Sequence, residues 1–187
     1  MPHRPAIRRS RSAMPRCTPI PGPGGWDFRS RQNGENMPQS LARVVLHTVF
    51  STKKRVPFLI EPAFRAEVHA FLGGCAKTME SVPIEIGGVA DHVHLLTTLP
   101  RTIAIAEFVK ELKRVSTNRI HMRRPDLEEF HWQAGYGIFS VSESVVPVVA
   151  RYIRNQEAHH RASTYLTEYR SLLRKHGVVW DEAHVWD

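Results

Sequence analysis

Two histidines separated by one valine, His92 and His94, lie in a run of residues that otherwise has the composition of a buried β-strand. Side chains alternate between the two faces of a strand, so both imidazoles point to one face, while Val93 and Leu95 point to the other. Two neutral imidazoles on one face of a strand can share a divalent metal ion. The alternative is that the two histidines are polar residues on the solvated face of a sheet. The pair alone does not separate these interpretations.

The pattern of strands and helices around this pair predicts one α+β domain. Four segments that are rich in β-branched residues or lie between turn signals predict strands at residues 42–52, 82–89, 92–99 and 136–141. Apolar residues at spacings of three and four predict helices after Pro62, after Thr102 as N-cap, from Ser142 or Ser144 to about His160, and over residues 164–176.

The order β-α-β-β-α-β-α is that of a ferredoxin-like split βαβ sandwich, in which an antiparallel sheet carries two helices on one face. Additional C-terminal helices follow in this chain. Val93 and Leu95 would face the two helices, which places His92 and His94 on the open face. We expect the last helix to cross that open face.

The first 36 residues differ in composition from the rest of the chain. They contain six of the 13 prolines, four of the 11 glycines and seven arginines, without hydrophobic periodicity. Such a segment cannot bury enough apolar surface to offset the entropy lost on ordering it. We therefore expect residues 1–36 to be disordered and residues 37–187 to form the folded domain. A nucleic-acid-binding arm, a transit peptide, or upstream sequence translated in error before Met37 are the alternative explanations of this segment.

Deleting residues 1–36 is accordingly expected to leave the melting temperature and the activity of the chain nearly unchanged, because the segment has no core-forming pattern. Thermal unfolding of the full chain and of residues 37–187, measured side by side, checks this expectation. A large drop in the melting temperature of the shorter chain would contradict it.

Basic residues concentrate at two places in the predicted domain. The formal net charge is +8, of which only +3 falls within residues 37–187, so the positions of the charges matter more than their sum. Lys53, Lys54 and Arg55 directly follow the first strand, and Lys110, Lys113 and Arg114 form a stripe on the helix after Thr102. We expect these six residues to bind nucleic-acid phosphates; for the helical stripe, an ordinary solvated face is the alternative.

Composition excludes some classes of protein. No apolar run approaches the ~18 residues that a membrane-spanning helix requires. Cys17 and Cys75 have neither metal-ligand spacing nor the pattern of a disulfide framework. A cytoplasmic, reducing location fits these features best.

Tyr152 and Gln156 lie four residues apart on the helix that is predicted to end near His160, so they share one helix face. A tyrosine can act as a covalent nucleophile, and a glutamine carbonyl oxygen can bind a hard cation. Together with His92 and His94 they would make a reasonable Mg²⁺ or Mn²⁺ site with a nucleophile beside it. Taken singly, a partly buried helix tyrosine and an exposed glutamine are both ordinary features.

Six short blocks occur in a fixed order along the chain: Leu-His-Thr-Val-Phe-Ser-Thr-Lys-Lys-Arg at 46–55, Asp-His-Val-His-Leu-Leu at 91–96, Trp-Gln-Ala-Gly-Tyr at 132–136, Phe-Ser-Val-Ser at 139–142, Tyr-Ile-Arg-Asn-Gln at 152–156 and His-His at 159–160. With these blocks, residues 41–176 resemble the HUH-type single-tyrosine transposases of the insertion-sequence-200-like group, which include the REP-associated tyrosine transposases. The family pattern begins close to Met37.

The resemblance implies a DNA transposase that cleaves and rejoins single-stranded DNA through a 5′-phosphotyrosine, with Mg²⁺ or Mn²⁺ as cofactor. Tyr152 matches the nucleophile, His92 and His94 match the metal-binding pair, and Gln156 matches the third metal ligand. It further implies a homodimer, often with the tyrosine helix of one subunit completing the partner's site. The DNA partner would be the element ends, which contain hairpins.

Two other functions are alternatives: a non-catalytic nucleic-acid-binding module, since ferredoxin-like sheets often present an open face to RNA, and a metal-dependent phosphodiesterase that uses an activated water. Tyr136, Tyr165 and Tyr169 are expected to pack rather than react. We interpret His159 and His160 as phosphate or solvent contacts, because adjacent residues on a helix point about 100° apart. For His47, in the middle of the first strand, a plain sheet histidine is favoured over the alternative of a neighbour of the site. Trp132 and Phe139 are candidates for base stacking.

Overall fold

The computed structural model describes residues 41–183 and residue 185. The predicted disordered segment, residues 1–36, lies outside the described residues. The elements of the described chain are, in order, β1 (Val45–Ser51), α1 (Pro62–Thr78), β2 (Pro83–Gly88), β3 (His92–Thr98), α2 (Ile105–Arg123), β4 (Gly137–Val141), α3 (Val146–Arg154), α4 (Gln156–His159) and α5 (Tyr165–Lys175). Within this part of the chain, no helix combines the length and the apolar character needed to cross a membrane.

The four strands form one sheet in the order β2-β3-β1-β4, and every neighbouring pair is antiparallel. β1 lies between β3 and β4, with Val49 opposite His94 and Ser51 opposite His92. This order places the first strand beside the third, as a split βαβ unit requires. The predicted ferredoxin-like α+β fold is therefore confirmed.

One face of the sheet carries α1 and α2. Phe50, Val93 and Leu95 point into this layer and join a continuous core with Phe108 of α2 and Leu72 of α1, and all five side chains are fully buried. Alternation along β3 thus turns Val93 and Leu95 towards these helices, as predicted. The histidines between and beside them consequently face the opposite side of the sheet.

The C-terminal helices cover that opposite face. Val49 of β1 and Phe139 of β4 pack against Tyr169 and Leu172 of α5, and Leu96 of β3 packs in a third apolar cluster together with α3 residues. The prediction that the last helix crosses the open face is confirmed. A surface that would be solvated in a bare ferredoxin-like sheet is buried in this chain.

Helix boundaries differ from the predicted ones at two places. The single helix predicted to run to about His160 is divided at Asn155, whose φ and ψ of −96° and 19° leave the helical region, into α3 and the short α4. The N-cap of α2 is Ala104 rather than Thr102. Thr164, by contrast, caps α5 by accepting a hydrogen bond from the Thr167 N–H, so the predicted start of the last helix is confirmed.

Gly87 of β2 allows α3 to lie close to the sheet. A Cβ atom at this position would overlap the carbonyl oxygen of Ile153 in α3 and would lie 3.0 Å from its Cγ2 atom. Ile153 directly follows Tyr152, so the approach at Gly87 determines how deeply the tyrosine helix sits over β3. A larger residue would have to push α3 outwards.

Gly87→Ala is therefore expected to lower the free energy of unfolding by about 1–3 kcal/mol through overpacking, and to reduce any activity that depends on Tyr152. Gly74→Ala in α1 is the matched control, because a Cβ there meets nothing within 4 Å, and alanine in a helix is favoured over glycine by roughly 0.5–1 kcal/mol. Urea unfolding of both variants checks the prediction. Equal stability of the two variants would contradict it.

Candidate active site

His92 and His94 lie side by side on β3 beneath the C-terminal helices, and both side chains are fully buried. The alternative of two polar residues on a solvated face is therefore wrong. One ring nitrogen of each histidine is held by a neighbour. His92 Nδ1 lies 2.7 Å from Asp91 Oδ1, and His94 Nδ1 lies 2.9 Å from His47 Nε2.

These contacts leave the Nε2 atom of each ring free. Neither His92 Nε2 nor His94 Nε2 has a hydrogen-bond partner among the described residues, although both atoms are buried. A proton on Nδ1 would direct the lone pair of Nε2 into the space beneath the helices, and metal-binding histidines typically hold the other ring nitrogen in this way. Asp91 and His47 thus act as orienting partners of the pair.

The carboxylate of Glu168 lies opposite both free nitrogens. Glu168 Oε2 is 3.6 Å from His92 Nε2, and Glu168 Oε1 is 3.5 Å from His94 Nε2. Glu168 belongs to α5, the helix that crosses the sheet, and its side chain is 3% exposed. Sequence reasoning did not assign a role to this residue.

Three further side chains form hydrogen bonds with the same carboxylate. The Tyr152 hydroxyl and Gln156 Nε2, the latter at 2.8 Å, both donate to Glu168 Oε1, and His160 Nε2 lies 3.0 Å from Oε2. Burial alone would raise the pKa of the Glu168 carboxyl, but the hydrogen bonds from His160 and Tyr152 and the adjacent imidazole of His94 outweigh it and hold that pKa well below its usual range. The carboxylate is therefore ionised at the centre of the site.

The donor set fits a metal ion. One ligand atom from each of His92, His94, His160 and Glu168 can be chosen so that all four lie within 4.8 Å of one another. Gln156 Oε1 is also buried without a partner. Burial lowers the pKa of His94 to about 4, an effect that Glu168 only partly offsets, so this ring is neutral at pH 7, as a metal ligand must be. His92, His94 and Gln156, the three predicted ligands, each have one buried atom without a hydrogen-bond partner among the described residues. A bound ion would be the missing partner of these atoms.

Tyr152 stands at the border between this cluster and solvent. Its ring lies edge-on to that of His94, with 5.9 Å between the ring centroids, and burial together with the charge of Glu168 raises the pKa of its hydroxyl above the usual value. A cleft of about 450 Å³ opens beside it, between α3, α5 and the β4 edge, and Tyr152, Glu168 and His47 contribute to its lining. Sites for small ligands have volumes of about 300–1,000 Å³. Tyr152 therefore lies at the wall of a cleft of that size.

Sequence reasoning missed three residues of the site, and each had a recognisable signal. Glu168 lies on the buried face of α5, together with Tyr165, Tyr169 and Leu172. A carboxylate is exceptional on such a face. His47 alternates with Val45 and Val49 on the covered face of β1, so it is a neighbour of His94 rather than a plain sheet histidine. His160, interpreted as a phosphate or solvent contact, points inwards to Glu168 instead.

The first basic group lies at the histidine end of the sheet. Lys53, Lys54 and Arg55 form one 3₁₀ turn directly after β1, and Thr52 N–H donates to the carbonyl of Asp91 at 2.7 Å, which ties this turn to the start of β3. The two lysines are exposed and Arg55 is half-buried. Within the described residues none of the three forms an ion pair, so their charges remain available to an anionic partner.

The second basic group lies on the opposite layer. α2 covers the face of the sheet that does not carry His92 and His94, which separates Lys110 and Arg114 from the cluster. Both form ion pairs on their own helix, Lys110 with Glu107 at 3.2 Å and Arg114 with Glu111.

Lys113 on the same stripe turns inwards. Its ammonium donates to the carbonyls of Gln133 and Gly135 at 2.9 and 2.6 Å, and desolvation lowers its pKa to about 8. The structure does not bring Lys110, Lys113 and Arg114 together with the site. The hydrogen bonds of Lys113 instead hold the loop before β4 against α2.

The rival aromatic residues are packed. Tyr165 and Tyr169 stack on each other, with ring centroids 5.4 Å apart, and are almost fully buried. Phe139 belongs to the same buried cluster, and Trp132 donates from Nε1 to Ser116 Oγ at 2.8 Å in the other core. Neither Trp132 nor Phe139 therefore presents a ring to DNA bases, contrary to our interpretation.

The structure combines a ferredoxin-like sheet with a buried histidine pair and an adjacent tyrosine, and the sequence comparison specifies the family. Residues 40–156, more than half of the chain, match the profile of the family described as "Transposase IS200 like". The chain belongs to this family. The match contains β1, both histidines of β3, Tyr152 and Gln156, and it ends before Glu168.

One curated relative and two solved structures are similar to this chain. The ISDra2 transposase TnpA of Deinococcus radiodurans is 37% identical over 84 residues, which are 42% of this chain and 55% of that protein. The chain thus spans about half the length of this curated relative. A crystal structure at 1.90 Å resolution of a Deinococcus radiodurans R1 protein described as a transposase shares the fold, with a TM-score of 0.52, 24% identity, and coverage of 65% of this chain and 97% of that chain. A REP-associated tyrosine transposase bound to a REP hairpin has a TM-score of 0.49 and 12% identity, over 67% of this chain and 74% of that one.

Proposed function

We propose that this chain is a transposase that cleaves and rejoins single-stranded DNA, with Tyr152 as the nucleophile and with Mg²⁺ or Mn²⁺ held by His92, His94 and Gln156. One observation carries the proposal: the Tyr152 hydroxyl donates to the same Glu168 oxygen that lies 3.5 Å from His94 Nε2. The nucleophilic atom and the candidate metal ligands are therefore neighbours within a single chain.

The residues present suit the ion that the family implies. His92 and His94 would each offer Nε2, and Gln156 would offer Oε1; all three atoms are buried and without partners among the described residues. A divalent ion held by these residues would polarise the scissile phosphate and stabilise the leaving 3′ oxygen. Asp91 and His47 hold the two imidazoles in the required orientation.

The reaction then exchanges one phosphoester bond for another. The Tyr152 oxygen attacks the phosphorus, a new oxygen–phosphorus bond forms, and the bond from phosphorus to the 3′ oxygen breaks. The hydroxyl proton has Glu168 Oε1 as its nearest acceptor. Because the energy of the broken bond is kept in the phosphotyrosine, a second 3′ hydroxyl can reverse the step and rejoin DNA.

Single-stranded DNA can approach this site along two features. The cleft beside Tyr152 admits a nucleotide, and Lys53, Lys54 and Arg55 offer three cations at the histidine end of the sheet for the phosphates on either side. Lys110 and Arg114 lie on the far layer, so in our proposal they add at most a distant contact. Element ends that contain hairpins remain the proposed DNA partner, and the homodimer remains a prediction for sedimentation to test.

To test the proposal, the chain is incubated with Mg²⁺ and labelled, overlapping single-stranded DNAs that cover the sequences on both sides of its gene. The products are then separated by denaturing electrophoresis. A band in which DNA stays attached to protein after denaturation supports the proposal. DNA cleavage without any attached product would favour the phosphodiesterase with an activated water. Binding without cleavage would favour the non-catalytic module, and either result would overturn the proposal.

A further inference from the structure

We propose that Glu168 is a metal ligand of this site, supplied by α5 of the same chain, so that the ion is held by a carboxylate in addition to the two histidines and the amide. This inference rests on the proposed function and adds to it. The family match ends at residue 156, so Glu168 lies outside the part of the chain that defines the family. The assignment derives from the position of the side chain alone.

The position of the carboxylate is that of a ligand. Each oxygen faces a different unpartnered imidazole nitrogen, at 3.6 Å for His92 and 3.5 Å for His94. Both distances exceed those of good hydrogen bonds. In an octahedral Mg²⁺ site with bonds of about 2.1 Å, adjacent ligand atoms are about 3.0 Å apart and opposite ones about 4.2 Å. Distances of 3.5–3.6 Å fall within that range, so the three side chains can bind one ion after only small shifts.

The charge of the site points the same way. Glu168 is the only carboxylate that is buried in the described part of the chain, and no lysine or arginine contacts it there. A buried carboxylate is costly unless a cation or several hydrogen bonds compensate it. Glu168 already has hydrogen bonds from Tyr152, Gln156 and His160. A divalent cation placed among Glu168, His92 and His94 would add to this compensation and suits hard oxygen ligands.

Glu168 also contacts the proposed nucleophile. Its Oε1 accepts from Tyr152 and from Gln156 Nε2, and His160 holds its Oε2. The Glu168 side chain would therefore contact both the Tyr152 hydroxyl and the metal ion. Since α5 packs on Val49 and Phe139, the position of the ligand is determined by the same core that covers the sheet.

Calorimetric titration of the full chain with MnCl₂ tests the assignment without DNA or turnover. Glu168→Gln has the same shape and can still accept from Tyr152 and donate to His92 Nε2, so the fold should be retained. We expect its dissociation constant for Mn²⁺ to rise by about tenfold or more, in line with the loss of a charged ligand. Glu143→Gln is the matched control: it removes one carboxylate from an exposed ion pair with Arg43 and should leave Mn²⁺ binding unchanged.

The two levels of the proposal fail differently. If the wild-type chain binds no Mn²⁺, or if His94→Ala binds it as tightly as the wild type, the metal site of the proposed function is wrong. If the wild type binds Mn²⁺, His94→Ala does not, and Glu168→Gln matches Glu143→Gln, only the role of Glu168 is overturned.

A measurement on the wild type covers the case in which Glu168→Gln does not fold. Crystals soaked in MnCl₂ and measured at the manganese absorption edge should give an anomalous peak bonded to His92 Nε2, His94 Nε2 and a Glu168 oxygen. A peak bonded to the histidines with Glu168 turned away would overturn the inference and leave the proposed function standing.

Discussion

Tyr152→Phe should form no covalent complex with DNA, while it still folds, binds divalent metal and binds single-stranded DNA. The change removes the one atom that would form the bond to phosphorus and keeps the ring, whose edge-on contact with His94 is unaffected. Glu168 retains its contacts with Gln156 and His160. The lost hydrogen bond costs about 1–2 kcal/mol of stability, which is too little to unfold a domain of this size. Denaturing electrophoresis after incubation with labelled DNA measures the outcome.

Tyr136→Phe is the matched control for this variant. Tyr136 packs against the core on the α1 and α2 side of the sheet, so removal of its hydroxyl should leave the covalent complex unchanged. A Tyr152→Phe protein that still forms the complex would contradict the assignment of the nucleophile.

Mixing the Tyr152→Phe and His92→Ala proteins tests which chain supplies the tyrosine. In the structure Tyr152 contacts Glu168 and His94 of its own chain, so each mixed pair would contain no complete site, and activity should not return. Recovery of the covalent complex would show that dimers exchange their tyrosine helices, as the resemblance to the family allows.

Replacing either of the proposed metal ligands on β3 should abolish both DNA cleavage and stabilisation by metal. His92→Ala and His94→Ala each remove one of two unpartnered, fully buried nitrogens that face Glu168. A ligand at 100 times its dissociation constant stabilises a folded chain by about 2.7 kcal/mol. Thermal unfolding with and without MnCl₂ should therefore show an upward shift for the wild type and none for the variants. Cleavage near the wild-type rate in both variants would contradict the metal site.

Each alanine leaves a cavity, so folding must be measured independently of activity. Circular dichroism establishes the fold, and His92→Asn and His94→Asn repeat the test with a smaller loss of volume. His131→Ala is the control for the loss of an imidazole, because His131 is exposed and lies outside the cluster. It should keep the metal-dependent shift.

Local periodicity predicted the parts of this site that depend on one element at a time. Alternation along β3 is enough to place His92 and His94 together, because side chains two residues apart in a strand share a face. A spacing of four brings Tyr152 and Gln156 together, and this relation persists although the helix breaks at Asn155. Both side chains donate to the same oxygen of Glu168.

Local periodicity could not predict the contacts between elements that are distant in the sequence. Glu168 reaches the histidines only because α5 crosses the sheet at one particular depth, which packing against Val49 and Phe139 determines. Lys113 illustrates the opposite error. It lies on a stripe of basic residues, but the loop before β4 folds under α2 and offers three carbonyls to its ammonium. Helical spacing predicts neither the position of the Glu168 carboxylate nor that of the Lys113 ammonium, since both depend on how separate segments pack.

The attachment residue in the covalent complex tests the central claim most directly. Wild-type chain is incubated with single-stranded DNA and Mg²⁺, the complex is digested with protease and nuclease, and the modified peptide is sequenced by mass spectrometry. The account predicts a nucleotide joined through its 5′ phosphate to the oxygen of Tyr152, in a peptide that contains residues 152–156. A nucleotide joined to Tyr136, Tyr165 or Tyr169, or cleaved DNA with no modified peptide, would contradict it.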